Sequence, residues 1–427
     1  MINLLLKQFW CRFKDNIYVG LVTILGTAFS ICLIMIYLVA GFLGKSMDLS
    51  PENNRHRTLY VKWAAVENKE TGMTVGVGFL SLKTIKECFE TLTTPEAIIV
   101  TSPLQSQLAS LPGNKQRPCF VLPTDDVFWR VFDFKILAGK PYDYADFKAG
   151  IQKVILNKEM AVFFYNSIED AIGKQIQLNY HTYIVSAVVD NVPTMASAAY
   201  GQAWVPFTCL DIPRGPGIDG INGRYKCQIL ARSSSDFQAI RKEVDRNIQV
   251  YNKTLGDYSI NLHHQPDTKL VEEDRFGYVY PDMPSSYLNL VVVIVVILLV
   301  PAINISGFSI FRMRERQEEL AMRKTYGATR WMIYRQILNE SMIYSLIGGI
   351  LGWGLSYLGL YLIKDMAIAS GAHWGLNVQP ELPPEIAINP YTFLAVLFFC
   401  TLLNILSAGI PAWRISKLPV VESLKTE

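Results

Sequence analysis

Charge is what this sequence has least of. Asp, Glu, Lys and Arg make up 18% of its 427 residues, where a soluble domain carries about 25%. An excess of either sign is missing too. Forty basic residues face 37 acidic ones, a net charge of +3, which gives no electrostatic case for nucleic acid. Cysteine is sparse, with seven residues and no Cys-x-x-Cys, so a zinc site is unsupported. Neither a Gly-x-Ser-x-Gly nucleophile turn nor a His-Glu-x-x-His zinc helix is present. Gly44-Lys45-Ser46 resembles the end of a phosphate-binding loop, but Val39 stands where that motif needs its first glycine, and an apolar run precedes it. Internal repeats and low-complexity tracts are also missing. With 50% hydrophobic residues the chain has ample material for a core, which excludes intrinsic disorder.

The charge deficit is concentrated in four places. Ile17–Leu43, Leu288–Phe311, Ser341–Ile363 and Tyr391–Trp413 contain no Asp, Glu, Lys, Arg or His. A helix needs roughly 20 apolar residues to cross a bilayer, and each run meets that length. The first exceeds the apolar core of a cleaved signal peptide and reads as an uncleaved anchor. Before it, Leu4, Leu5, Leu6, Phe9, Trp10 and Phe13 alternate with Lys7, Arg12 and Lys14, a pattern for an amphipathic segment on the membrane lipids. Uncharged spans leave no relay for protons or ions, which speaks against an ion-driven transporter.

The basic residues orient the chain. Seven Lys and Arg fall in Arg312–Asn339, and Arg414, Lys417 and Lys425 follow the last run. Lys364 is the only Lys or Arg in the loop to Pro390. The termini and Arg312–Asn339 are therefore expected in the cytoplasm, and the stretch after the first run outside. The expected fold is an α-helical membrane protein with four transmembrane helices and a large α/β (α+β) extracytoplasmic domain between the first and second. Its segments are 1–16 (amphipathic), 17–43 (first span), 44–287 (external core), 288–311 (second span), 312–340 (cytoplasmic), 341–363 (third span), 364–390 (short external loop), 391–413 (fourth span) and 414–427 (tail). An outer subdomain over about 116–205 is expected within the core.

Within the external core, alternation predicts strands at Thr58–Ala64, Ala97–Thr101, Lys153–Asn157, His181–Asp190, Lys226–Ala231 and Tyr258–His263. Helical spacing predicts Leu80–Leu92, Asp125–Phe132, Lys158–Tyr165 and Asp236–Tyr251. Leu111-Pro112-Gly113 and Pro213–Gly217 read as subdomain edges. Of Cys88, Cys119, Cys209 and Cys227, the last two flank a loop. They are the pair to expect if any disulfide forms, with buried free thiols as the alternative. His263-His264 would diverge on a strand and make a poor metal site.

The informative stretch is Arg312–Leu346. It is rich in charge and helix formers, is interrupted at Gly327 as by a helix cap, and becomes amphipathic from Trp331 to Leu338 before the third run. Arg316 followed by Glu319-Leu320-Ala321-Met322-Arg323-Lys324-Thr325-Tyr326-Gly327-Ala328 resembles the signature of the MacB/FtsX family of ABC-transporter permeases. Ile337-x-x-Glu340 and Gly348-Gly349-x-x-Gly352 resemble its entrance to the third span, and Pro411-Ala412-Trp413-Arg414 with Pro419 and Leu424 its ending. Pro301-Ala302-Ile303-Asn304 resembles its "G-x-x-N" helix end, with Pro301 replacing glycine and predicting a kink. Phe132–Lys140, Leu156–Ala161, Ile172-Gly173-Lys174 and Val188-Val189-Asp190 resemble its extracytoplasmic core. Thr325 and Tyr326 depart from the small and aliphatic residues usual there.

The resemblance implies a permease that is not itself an enzyme, in the split form whose ATPase is a separate polypeptide holding ATP and Mg. Cofactors in this chain are none. It implies a homodimer or a pair of related permeases, with an adaptor and an outer-membrane channel among the partners of efflux members, in the bacterial inner membrane. Arg316, Glu319, Leu320, Met322, Arg323, Lys324, Gly327 and Ala328 are the implied ATPase-coupling surface. Gly348, Gly349 and Gly352 are read as helix-packing positions, either between subunits or within one. The resemblance implies export of a drug, peptide or other substrate by mechanotransmission. Lipoprotein release or control of a cell-wall hydrolase are alternatives, and a membrane-anchored sensor is a more distant one.

Overall fold

In the computed structural model of the chain, the described residues are 10, 13–14, 17–39, 47–111, 115–210, 220–297, 299, 322, 325–368, 390–398, 400–402 and 413. The expectations at Pro301, Arg316, Glu319, Leu320, Arg323, Lys324, Gly44–Ser46, Pro213–Gly217 and the tail lie outside them. Two compact units emerge. One comprises Met1–Leu43, Met283–Ala367 and Leu382–Glu427, the other Gly44–Asp282 and Ile368–Glu381.

The second unit contains strands β1 (Thr58–Val61), β2 (Ala64–Asn68), β3 (Thr74–Leu80), β4 (Ala97–Thr101), β5 (Gln105–Ser110), β6 (Gln116–Thr124), β7 (Ile136–Gly139), β8 (Lys153–Asn157), β9 (Gln175–Leu178), β10 (His181–Val189), β11 (Ala203–Pro206), β12 (Asn222–Gly223), β13 (Lys226–Leu230) and β14 (Tyr258–Asn261). Ten of them form one sheet in the order β1-β13-β4-β6-β11-β8-β10-β9-β5, with β7 beside β10. Because β5 also pairs with β6, the ladder β6-β11-β8-β10-β9-β5 closes on itself. Closure removes the exposed edge that an open sheet would leave at β5. A four-stranded sheet, β12-β3-β2-β14, completes the unit.

The helices cover these sheets for local reasons. After α1 (Ile17–Leu38) come α2 (Leu82–Cys88), α3 (Phe128–Val131), α4 (Tyr144–Ala149), α5 (Lys158–Tyr165) and α6 (Phe237–Asn252). The Asn157 side chain caps α5 by accepting from the Met160 amide at 2.9 Å, and Asn166 ends it in the left-handed region at φ 67°. In α6, Ile240, Val244, Ile248 and Tyr251 recur on one face and are buried. That face joins a core with Leu59, Val66, Ile85, Phe89 and Ile260. A second core, Ala109 to Val205, fills the closed ladder around Val121, Val154, Leu156, Tyr183 and Val185.

Several expectations need correction. Leu111 opens a connection between paired strands, its amide donating to Lys115 O at 3.0 Å while Ser110 pairs with Gln116; Pro112 and Gly113 lie outside the described residues. Cys209 and Cys227 are both free thiols, one half-buried and one buried, because Cys227 faces a core while Cys209 donates to Ile151 O. His263 and His264 sit beyond β14 with φ of 47° and 68°, so they are turn residues and not strand residues. Among the described residues no group of His, Cys, Asp and Glu could hold a metal ion.

In the first unit, α1 is followed by α8 (Met283–Ile297), α9 (Arg330–Ile368) and α10 (Pro390–Leu402). Gly20–Leu38 and Trp331–Ile363 are long and apolar enough to cross a membrane, and the described parts of the other two runs are shorter apolar helices. Helix α9 begins at Arg330, so the amphipathic stretch from Trp331 to Leu338 runs directly into the third run. Helix α8 likewise opens at Met283, ahead of Leu288. Ile24, Ala28, Ile31 and Met35 are buried on one face of α1, while Tyr18, Leu25 and Phe29 are exposed. Large apolar side chains on the outward face suit lipid as the surrounding medium.

Candidate functional site

Three features of these units bear on function. The first is the seam between α1 and α9. A Cβ added to Gly348 would meet Thr27 Cβ at 2.8 Å and Ile24 O at 2.9 Å, and one on Gly352 would meet Ala28 O at 2.5 Å. Gly349 faces α10 instead, with Leu397 Cδ1 at 2.5 Å from a built Cβ, and Trp353 stacks on Phe393 at 4.9 Å. All three glycines therefore pack helices within a single chain. Small residues let backbones approach closely, which is how apolar helices gain van der Waals energy when burial from water offers none. The nearby hydroxyls are satisfied locally: Thr27 Oγ1 donates to Thr23 O at 2.8 Å and Ser345 Oγ to Ser341 O at 3.0 Å.

The second is the turn before α9. Gly327 has φ 92°, a left-handed conformation that a side chain would strain. Thr325 Oγ1 donates to Met322 O at 2.6 Å, closing the turn that precedes it. Tyr326 is 90% exposed and Met322 56% exposed. Ala328 lies between this turn and the helix start. Of the implied coupling residues, Met322, Gly327 and Ala328 are thus placed at a tight turn leading directly into an apolar helix.

The third was not anticipated from the sequence. The strand-forming part of the second unit is preceded by residues 47–57 and followed by residues 262–282, and charged side chains of both segments hold the loop at residues 195–199 between them. Glu52 Oε2 accepts from Arg55 Nε at 2.6 Å, while its Oε1 accepts the Ala198 and Ala199 amides at 2.7 and 2.9 Å. Arg55 also donates to the carbonyls of Met47 and Met195. Helix α7 (Lys269–Asp274) supplies Lys269, whose Nζ lies 2.9 Å from Glu272 Oε2, 2.7 Å from Glu273 Oε1 and 2.6 Å from Ser197 Oγ. Lys62 pairs with Glu272, and Ser197 Oγ donates to Glu273 Oε1. Beyond them, Arg275 Nη2 donates to Asp267 Oδ1 at 2.9 Å and to His263 O at 3.0 Å.

Electrostatics holds this lattice charged. Burial works against the Lys269 ammonium, but the Glu272 and Glu273 carboxylates outweigh it and raise its pKa above the ordinary lysine value. Burial would likewise raise Glu273, yet Lys269 and Lys62 hold it below the usual carboxylate range. Glu272 is shifted in the same direction, against burial and by the same two lysines. The sequence signal was the alternation Lys269, Glu272, Glu273, Arg275, which reads as a solvated helix face until its partners more than 70 residues away are seen.

The chain thus combines a unit of long apolar helices with an α/β unit, the pattern of a membrane protein with a large domain beside its spans. Residues 21–247 match the MacB-like periplasmic core domain, and residues 291–420 match the FtsX-like permease C-terminal domain. The chain belongs to the MacB/FtsX family of ABC-transporter permeases. It is 25% identical over 71% of its length to the uncharacterized ABC transporter permease YknZ of Bacillus subtilis (strain 168), covering 69% of that protein. It is 20% identical over 78% of its length to the macrolide export ATP-binding/permease protein MacB of Photorhabdus laumondii, spanning only about half (47%) of that relative. The solved extracellular domain of the noncanonic ABC-type transporter YknZ from Gram-positive bacteria aligns at a TM-score of 0.35 and 15% identity, over 47% of this chain and 99% of that one.

Proposed function

We propose that this chain is a permease subunit of the mechanotransmission type, in which ATP hydrolysis by a separate ATPase moves the external domain. One observation carries the reading. The four apolar runs hold no Asp, Glu, Lys, Arg or His, and where α1 and α9 meet they are closed by glycine against backbone. A polar substrate has no route through such a bundle, so work done outside the membrane is the natural output. ATP and Mg belong to the partner, and this chain contributes docking, with Arg316, Glu319, Leu320, Met322, Arg323, Lys324, Gly327 and Ala328 as its ATPase-facing surface. A homodimer or a pair of related permeases completes the unit, with both termini cytoplasmic and the α/β domain periplasmic.

The substrate class that the family's efflux members support is a drug or peptide, with a periplasmic adaptor and an outer-membrane channel as further partners. Lipoprotein release or control of a cell-wall hydrolase is the second reading of the same mechanism. The test is ATP hydrolysis by the reconstituted complex in nanodiscs. Stimulation by export substrates supports the first reading, and stimulation only by a lipoprotein or a hydrolase supports the second. A chain that copurifies with no ATPase contradicts both.

A further inference from the structure

We propose that Lys269 is a positioning residue. It welds the segment that leads into the external domain (residues 47–63) to the segment that leads out of it (residues 262–278), so that the domain receives motion from its two connections as one body. The inference rests on the mechanotransmission reading for its purpose, but its structural content stands alone.

Three layers of contact join the two segments. The first is backbone to backbone: the Tyr60 amide donates to Asp267 O at 2.8 Å and the Asp267 amide returns a bond to Tyr60 O at 2.9 Å. The second is one side chain bridging backbones. Gln265 Oε1 accepts from the Lys62 amide at 2.8 Å, and its Nε2 donates to Trp63 O at 2.7 Å. The third is charge: Lys62 of the first segment pairs with Glu272 of the second, and Lys269 holds Glu272 and Glu273 beside it on α7. The Lys269 side chain is 4% exposed and its two carboxylate partners 4% and 9%. The ammonium also lies 5.1 Å over the Tyr60 ring. Ser197, bonded to Lys269 and Glu273, ties in the loop whose Ala198 and Ala199 amides hold Glu52.

A two-residue bridge between peripheral segments would open readily, because chain ends are the least protected parts of a fold. Buried charges change that. Lys269, Glu272 and Glu273 stay paired along one helix, but drawing the segments apart would take Glu272 from Lys62 and Lys269 from the Tyr60 ring and Ser197, and a buried charge that loses a partner is among the costlier states a protein can reach. The lattice therefore resists separation of the two connections more than the few backbone bonds would. Burying so many charges adds little to net stability, and its value here is that the alternative arrangement is penalised.

The test uses the full chain in detergent and its complex with the ATPase. Hydrogen exchange of the wild type should show the Tyr60 and Asp267 amides protected like the β8 amides. In Lys269→Met they should exchange about tenfold faster or more, with β8 unchanged, and Lys269→Arg should restore most of the protection. A second arm places a fluorophore at Tyr180→Cys, at an 85% exposed position, and follows its ATP-dependent signal in the complex. The expected result is a signal in wild type and in Lys269→Arg, lost in Lys269→Met while ATP hydrolysis stays within twofold. No signal in wild type contradicts the mechanotransmission reading and leaves the exchange arm to judge the weld. Equal signals in wild type and Lys269→Met, unchanged exchange at Tyr60 and Asp267, or loss of β8 protection together with theirs overturns the inference.

Discussion

Gly352 approaches Ala28 so closely that a Cβ on the glycine would stand 2.5 Å from the Ala28 carbonyl oxygen. The two helices meet backbone to backbone there. Valine at 352 must push them apart, and overpacking of this kind costs about 1–3 kcal/mol. Gly354, two residues on, has nothing within 4 Å of a built Cβ. Thermal unfolding of the full chain in detergent should show Gly352→Val melting several degrees lower and Gly354→Val close to wild type. Equal melting of the two variants would count against the seam.

The charge lattice sets an acid limit. Glu272 and Glu273 have folded pKa values below their unfolded ones. The unfolded chain therefore binds more protons in acid, and the stability these groups contribute is present above the ordinary glutamate range. It is lost as pH falls through the depressed folded values. Lys269, raised, contributes fully below the ordinary lysine value and loses its contribution at strongly alkaline pH. Denaturant unfolding between pH 7 and pH 3 should show a steep loss below about pH 4.5. In Glu273→Gln the slope should be shallower and the neutral-pH stability lower by about 3 kcal/mol.

Asp125 should act in the opposite sense. Its Oδ2 accepts the Val100 amide at 2.7 Å and its Oδ1 the Phe128 amide at 2.9 Å, but burial dominates and its pKa is pushed up to about 7. The folded state then binds a proton that the unfolded state releases. Stability from this group is present below its unfolded pKa and declines as pH rises toward 7. Asparagine offers one acceptor where two amides donate, so Asp125→Asn should cost about 1–3 kcal/mol and abolish that decline. An unchanged pH profile between 4.5 and 7 in the variant would contradict the assignment.

The thiols give a direct check on the second unit. Burial pushes Cys209 up to about 11 and Cys88 up to about 12. Maleimide labelling with peptide mapping at pH 7 should modify Cys209 slowly and leave Cys88, Cys119 and Cys227 intact until denaturant is added. A Cys209–Cys227 disulfide in the native protein would refute the arrangement.

Local signals were legible in the sequence where one residue pattern decided one element. Ala97–Thr101, Lys153–Asn157 and Lys158–Tyr165 have the expected bounds because β-branched runs and an asparagine cap act within a few residues. Strand β5 (Gln-Ser-Gln-Leu-Ala-Ser) and β6, with Pro118 and Pro123, escaped because polar residues and prolines disguise strands whose pairing is decided by closure of the ladder. The glycines of the seam were recognisable as packing positions, but their partners Thr27 and Ala28 lie more than 300 residues away. The lattice was hidden for the same reason. Its charges resemble ordinary surface charges until folding places Glu52 against Ala198, 146 residues distant.

The central claim is that residues around Glu319 and Arg323 couple this chain to an ATPase. The most direct measurement is copurification of the ATPase with the full chain from membranes, comparing wild type with the double variant Glu319→Ala, Arg323→Ala. The account predicts that the double variant inserts and folds with an unchanged melting temperature while the ATPase is lost from the complex. An intact complex with the double variant would contradict it.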